Sequence, residues 1–139
     1  MQYLLDTNAI SEGVSRRPNP GVLTWGLQQS SFDLFVSVLS LGEIRKGVEL
    51  RFHDARRTVL EHWLGAILPA EFRGRILPID ENVALEWGRI TAEGQKQGRV
   101  LPTTDGLLVA TAIVHGMTLV TRNERDCSGR GAPTFNPWT

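Results

Sequence analysis

The chain has 139 residues, the size of one domain with one ordinary core. Apolar residues make up 41% and charged residues 22%, which excludes an intrinsically disordered chain. Lys plus Arg equals Asp plus Glu at 15 each. This excludes a bulk positive field, so contact with a polyanion has to come from a local basic patch or from bound metal.

The short apolar run Tyr3-Leu4-Leu5 reads as a buried strand that stops at Asp6-Thr7-Asn8. Ala9-Ile10-Ser11-Glu12 then reads as a helical turn. Gly13 to Pro20 is a loop with Arg16 and Arg17 at a basic tip. Asn19-Pro20 opens a helix, asparagine capping and proline at the first position, with Val22, Leu23, Trp25, Gly26 and Leu27 on its apolar side. Asp33 to Val38 is a second strand. Ser40 starts the next helix, in which Leu41, Ile44, Val48 and Phe52 recur at helical spacing. Asp54 to Leu68 forms another amphipathic helix, with Val59, Leu60, Trp63, Leu64 and Ile67 inward, broken by Pro69 and Gly74.

Arg75 to Ile79 is a third strand, ending near Pro78. Asp80 caps a long helix, Glu81 to Gln97, closed by Gly98. Thr103 or Thr104 caps the helix Asp105 to His115, ended by Gly116. It is apolar almost all round, as a helix buried in mid-domain is. Met117 to Thr121 is a fourth strand, and Ala132 to Asn136 a short last one, at an edge because of Pro133. Strands alternating with helices, without repeat or linker, predict a single α/β domain: a parallel sheet with helices on both faces.

The single cysteine, Cys127, excludes an internal disulfide and a Cys-based zinc site. No apolar run approaches the roughly 20 residues of a membrane span. Met1-Gln2-Tyr3 lacks the basic start of a signal peptide, so the expected compartment is the cytoplasm.

Four acids stand out: Asp6, Glu43, Asp105 and Asp126. Each has an ordinary explanation. Asp6, Thr7 and Asn8 can turn the chain and cap a helix. Glu43 fits a capping box with Ser40, Asp105 sits in a first helical turn, and Asp126 can cap a short turn. Together they have another reading. Asp105 begins the most apolar helix, and Asp6 and Asp126 each follow a buried strand, so they share its C-terminal edge. There open α/β sheets bind ligands. Carboxylates gathered in a crevice repel one another, and a divalent cation among them relieves that. Oxygen-only ligands suit magnesium or manganese. His53, His62 and His115 adjoin none of these acids, which gives little support to histidine-based catalysis.

Leu4-Leu5-Asp6-Thr7-Asn8, Glu43 within Ser40 to Gly47, Asp105 within Thr104 to Ala112, and Thr121-Arg122-Asn123-Glu124-Arg125-Asp126 together resemble the PIN-domain ribonucleases. Within these the chain looks most like the VapC toxins of toxin–antitoxin pairs. Gly74 to Asp80 and the ending Phe135-Asn136-Pro137-Trp138 look like the FitB branch. The resemblance covers essentially the whole chain, so residues 1–139 are expected to form one PIN domain.

The resemblance implies that Asp6, Glu43 and Asp105 hold Mg²⁺ or Mn²⁺, that Asp126 matches a fourth, more variable acid, and that Asn8 and Thr121 support the acids or the metal-bound water. The implied activity is metal-dependent hydrolysis of RNA. The implied partners are a second copy of the chain and a cognate antitoxin that places a basic side chain among the acids. Two other readings are a PIN fold that only binds RNA or a partner, and an aspartyl-nucleophile phosphatase. The latter needs an acid where Asn8 stands. Arg16, Arg17, Arg45 and Lys46 are candidate RNA contacts, since they lie near the acids in sequence. Trp25, Leu27 and Phe32 are either core or part of a partner groove.

Overall fold

The computed structural model describes residues 1–139. In chain order the elements are β1 (Tyr3–Leu5), α1 (Thr7–Glu12), α2 (Pro20–Gln28), β2 (Leu34–Ser37), α3 (Val38–Glu49), α4 (Ala55–His62), α5 (Leu68–Glu71), β3 (Ile76–Leu77), α6 (Glu81–Lys96), α7 (Thr103–His115), β4 (Thr118–Val120), α8 (Glu124–Cys127) and β5 (Thr134–Phe135). The five strands form one sheet in the order β3-β2-β1-β4-β5, every pair parallel. β1 is central. The chain leaves it toward β2 on one side and returns through β4 on the other, so the strand order reverses between β1 and β4. In open α/β sheets that switch point opens a crevice at the carboxyl ends of the strands.

Alternation along the strands divides the core in two. Leu4 and Leu119, side by side in the ladder, face the cluster built with Val83, Ile90, Leu108 and Val109 of α6 and α7. Leu5 and Val120 face the opposite cluster, with Ile10, Val36, Ile44, Val48, Trp63 and Leu68. The ladder runs one bond past β1, from Asp6 N to Val120 O at 2.9 Å. Asp6 is thereby pinned at the mouth of the crevice, and the chain turns into α1 beyond it.

Several sequence expectations shift. Ser37, not Ser40, caps α3, accepting from Leu39 N, so the helix starts earlier and the capping box with Glu43 does not form. Pro102 precedes α7 with no side-chain cap, and neither Thr103 nor Thr104 serves as one. Asp126 lies inside α8 and caps nothing. Pro69 does not break the helix before it. A π-helical turn over Trp63–Ile67 lets the chain continue into α5, the wider turn relieving the clash of the proline ring with preceding carbonyls. Leu68 is buried, while Val59 and Ile67, expected inward, are exposed. Phe52 is 90% exposed beyond the end of α3. The caps at Asn19 and Asp80 form as expected, and Gly116 ends α7 at φ 65°, a left-handed conformation natural to glycine.

The last part of the chain is tied to the α6–α7 connection by two arginines. Arg130 donates from Nε to the Asp126 carbonyl and from Nη1 to the Arg99 carbonyl, both at 2.9 Å. Arg99 in turn donates from Nη2 to the carbonyls of Arg125 and Ser128, at 3.2 and 3.3 Å. This clamp holds α8 against the sheet and requires a close approach to α6. A Cβ on Gly94 would lie 2.5 Å from the Arg99 carbonyl oxygen and 2.7 Å from Arg130 Nη1. Gly94→Ala is therefore expected to lower stability by about 1–3 kcal/mol through overpacking, read from urea unfolding. Gly88→Ala, where a Cβ meets nothing within 4 Å, is expected to be neutral or slightly stabilising by helix propensity.

Candidate functional site

Three carboxylates reach the crevice from three elements: Asp6 from the end of β1, Glu43 from α3 and Asp105 from the first turn of α7. Each is held by a neutral donor. Asp6 Oδ2 accepts from Thr121 Oγ1 at 2.8 Å, and that buried hydroxyl also accepts from Asn123 N at 3.0 Å. Asp105 Oδ2 accepts from Asn123 Nδ2 at 3.3 Å. Glu43 Oε1 lies 2.6 Å from Thr7 Oγ1, which is also 2.9 Å from the buried Ser40 Oγ. The carboxylate can only accept, so the Thr7 proton points at Glu43 and the Ser40 hydroxyl is left to donate to Thr7. Ser40 and Glu43, expected to cap a helix, instead hold a hydroxyl between α1 and α3.

No ion pair of the chain involves Asp6, Glu43, Asp105 or Asp126. The electrostatic consequence falls on half-buried Asp105. Burial raises its pKa first and the neighbouring Asp6 charge second. The bond from Asn123 lowers it, and Glu43 and Asp126 raise it further. Asp126 thus belongs to the same negative field, with the smallest effect on Asp105. Cys127 is buried below them, and desolvation together with Asp105, Asp6 and Asp126 pushes its thiol up to about 12. It stays a neutral thiol, neither nucleophile nor ligand.

The carboxylates are gathered but not closed: no three acidic side chains converge tightly enough to enclose one ion as they stand. Such an open arrangement fits a hard cation that keeps several of its waters, which can bridge it to carboxylates it does not touch. All the donors are oxygens, as magnesium or manganese requires.

The sequence candidates divide. Asp6, Glu43, Asp105, Asp126 and Thr121 come together. Asn8 is exposed and bonds to none of the acids, lying in a groove of about 550 Å³ alongside Glu43. Thr7 and Asn123, missed from sequence, hold the carboxylates instead. Their one local signal was adjacency, Thr7 beside Asp6 and Asn123 two residues beyond Thr121. Arg16 lies close enough to lower the pKa of Asp54 together with Arg51, although the Arg57 backbone N–H has the larger effect there. Arg17 is exposed in the loop. Arg45 is bonded to Glu49 at 2.8 Å. Lys46 lines a second groove, of about 570 Å³, which shares Glu43 with the first. The expected aromatic patch splits: Trp25 packs edge-on against Tyr3 at 5.0 Å, while Leu27 and Phe32 are exposed. No helix is long and apolar enough to cross a membrane.

Comparison with known proteins bears on this arrangement. The model of the PIN domain matches residues 3–127. Toxin FitB of Neisseria gonorrhoeae is 35% identical over 135 residues, covering 97% of each chain. VapC ribonuclease Y4jK of Sinorhizobium fredii is 34% identical over 136 residues, covering 97% of this chain and 96% of the relative. The crystal structure of FitAcB from Neisseria gonorrhoeae contains a chain that matches this fold with a TM-score of 0.93 at 34% identity, covering 99% of both chains.

The raised pKa of Asp105 has a definite sign for stability. In the metal-free protein its carboxyl binds a proton more tightly than in the unfolded chain, whose value is roughly 4. Stability is therefore lost as pH rises from that value through the folded one, and at neutral pH the ionised group opposes folding. Asp105→Asn keeps the acceptor for Asn123 and removes the charge. In EDTA at pH 7 it is expected to raise the melting temperature, and the gain should shrink as pH is lowered toward 4. A gain that persists unchanged at low pH would place its cause elsewhere than in the carboxylate field.

Proposed function

The chain belongs to the PIN-domain family, and from that premise we infer that it is a divalent-metal-dependent endoribonuclease, the toxin of a toxin–antitoxin pair acting in the cytoplasm. The observation that carries this reading is that Asp6, Glu43 and Asp105, from three elements, lie near enough for the first two to act on the charge of the third, each held by a neutral donor and none by a cation. The near full-length relatives named as a ribonuclease and as a toxin support it.

Asp6, Glu43 and Asp105 would hold Mg²⁺ or Mn²⁺, with Asp126 as an outer ligand or a contact through water. When bound, such an ion activates water and stabilises charge on the phosphate oxygens. The residues of the chain do the rest. Thr121 and Asn123 set the orientations of Asp6 and Asp105, and Thr7 sets that of Glu43, so the carboxylate oxygens are aimed before an ion arrives. Water adds at phosphorus and the ester oxygen leaves, with no covalent enzyme intermediate. No side chain of the crevice is a free nucleophile: the Cys127 thiol is buried and neutral, and the Thr7 and Thr121 hydroxyls donate to carboxylates. An aspartyl-nucleophile mechanism would need an acid two residues after Asp6, where Asn8 stands exposed.

A nuclease of this kind needs restraint. The uncompensated carboxylates suit a basic side chain from an antitoxin, since a guanidinium offers charge and paired donors in the metal's place. Assembly as a homodimer with a bound antitoxin is part of this reading. Antitoxin and metal should then compete. Mn²⁺ titrated into the free protein and into the complex with its neighbouring gene product is expected to bind the complex much more weakly. Equal affinity would leave only blocking of the RNA path as the mode of inhibition.

The acids are tested directly. Asp6→Asn and Asp105→Asn are each expected to lower RNA cleavage by roughly a hundredfold or more, with circular dichroism unchanged and metal binding weakened. EDTA should abolish wild-type cleavage. Full activity in either variant, or in EDTA, would overturn the metal-dependent reading.

A further inference from the structure

A phosphodiester brought to four carboxylates meets a repulsive field, and the chain as a whole has no net positive charge to draw it in. Cations must therefore be gathered beside the acids. The structure gathers three arginines that sequence proximity did not point to. The groove running from Thr7 and Glu43 along α1, α3 and α4 is lined by Arg51, Arg56 and Arg122. Arg122 directly follows β4 at the crevice, is exposed, and makes no ion pair. Arg51 has only a loose contact with Asp54, at 3.8 Å between exposed side chains. Arg56 lines the groove and donates from Nη2 to the Val14 carbonyl, with no acid paired to it. Arg16 adds its charge near the Arg51 end, through the field it shares at Asp54. On the other side of Glu43 the second groove carries Lys46.

Resting on the ribonuclease reading above, we propose that a single RNA strand crosses the acids along these two grooves, with Arg51, Arg56 and Arg122 holding the phosphates on one side of the cleaved bond and Lys46 the phosphate on the other. Both grooves share Glu43, so a strand occupying them passes that acid. The first groove also carries the hydroxyls of Ser11 and Ser15 and the ring of Trp138. Hydroxyls and an aromatic ring suit sugars and unstacked bases. Arg45, already bonded to Glu49 and lining neither groove, is outside the path.

The test uses full-length Asp6→Asn protein, so that binding is read without cleavage, and a fluorescein-labelled, unstructured RNA 12-mer of mixed sequence. Affinity is measured from 50 to 300 mM salt, with and without Arg51→Ala/Arg122→Ala. Both arginines are exposed and hold no other element in place, so this pair is chosen over Arg56, whose bond to Val14 fixes the loop after α1. The slope of log affinity against log salt is expected to fall by about 1.4, two single-strand contacts at roughly 0.7 each, and affinity at 100 mM salt to drop roughly tenfold or more. Arg45→Ala should change neither. Charge reversal, Arg51→Glu/Arg122→Glu, should weaken binding further with the melting temperature unchanged. An unchanged slope in the alanine pair, while the wild-type protein still cuts RNA, would remove the groove from the path and leave the ribonuclease reading intact. Failure of the Asp6→Asn parent to bind RNA, together with failure of the wild type to cut it, would overturn both. Loss of antitoxin binding in the alanine pair, with RNA binding kept, would assign the groove to the protein partner instead.

Discussion

The structure depends on keeping like charges together. Asp6, Glu43 and Asp105 share one crevice and a negative field with Asp126, and burial raises Asp105 above the ordinary carboxylate range before its neighbours add to the effect. Nothing in the chain neutralises them. Hydrogen bonds from Thr121, Asn123 and Thr7 fix the geometry without supplying charge. A neutral donor orients a carboxylate and leaves its full charge for a ligand, whereas a lysine or arginine in the same place would have satisfied it. A cation bound among them would favour the folded chain, which ties cation binding to stability.

The rest of the fold makes that repulsion tolerable. The sheet is covered on both faces, so β1 and β4 contribute to two cores at once, Leu4 and Leu119 to one and Leu5 and Val120 to the other. Asp6 follows immediately on this doubly buried strand and is tied to Val120 by a backbone bond. It cannot retreat from the crevice without opening the ladder. Asp105 is fixed in the same way by α7, whose buried residues run from Gly106 to Ala112. The apolar packing opposes the repulsion, and the switch point of the sheet decides where the repulsion is concentrated.

Charge is distributed rather than abundant. The chain is neutral overall, yet acids occupy the crevice and arginines the adjoining groove. Other arginines serve structure: Arg99 and Arg130 join backbone carbonyls around α8, and Arg57 is buried between Glu49 and Glu61. Arginine suits both uses because its planar fork holds several acceptors at once while its charge persists at any accessible pH.

The sequence by itself determined the α/β class, the parallel sheet, the central strand ending at Asp6, the buried character of α7 and the four acids. These are local signals: apolar runs, helical spacing, glycine at helix ends and a carboxylate just past a strand. It also carried the family resemblance, because the motifs recur in order along the chain. The tertiary structure decided what each polar residue bonds to. Ser40 and Glu43 match a capping box, yet β2 hands over to α3 at Ser37, and the register this sets turns both toward Thr7. Asn8, expected to support the acids or a metal-bound water, is exposed and bonds to no acid, while Asn123, more than a hundred residues away in sequence, donates to Asp105 and to the hydroxyl of Thr121. Arg45 and Lys46 adjoin Glu43 in sequence, but on a helix neighbours point in different directions: Lys46 lines a groove with Glu43 while Arg45 turns to Glu49, and the other groove is lined by Arg51, Arg56 and Arg122 from three separate segments. Hydrogen-bond partners and groove walls are long-range choices, settled only when strand order and helix rotation are fixed together.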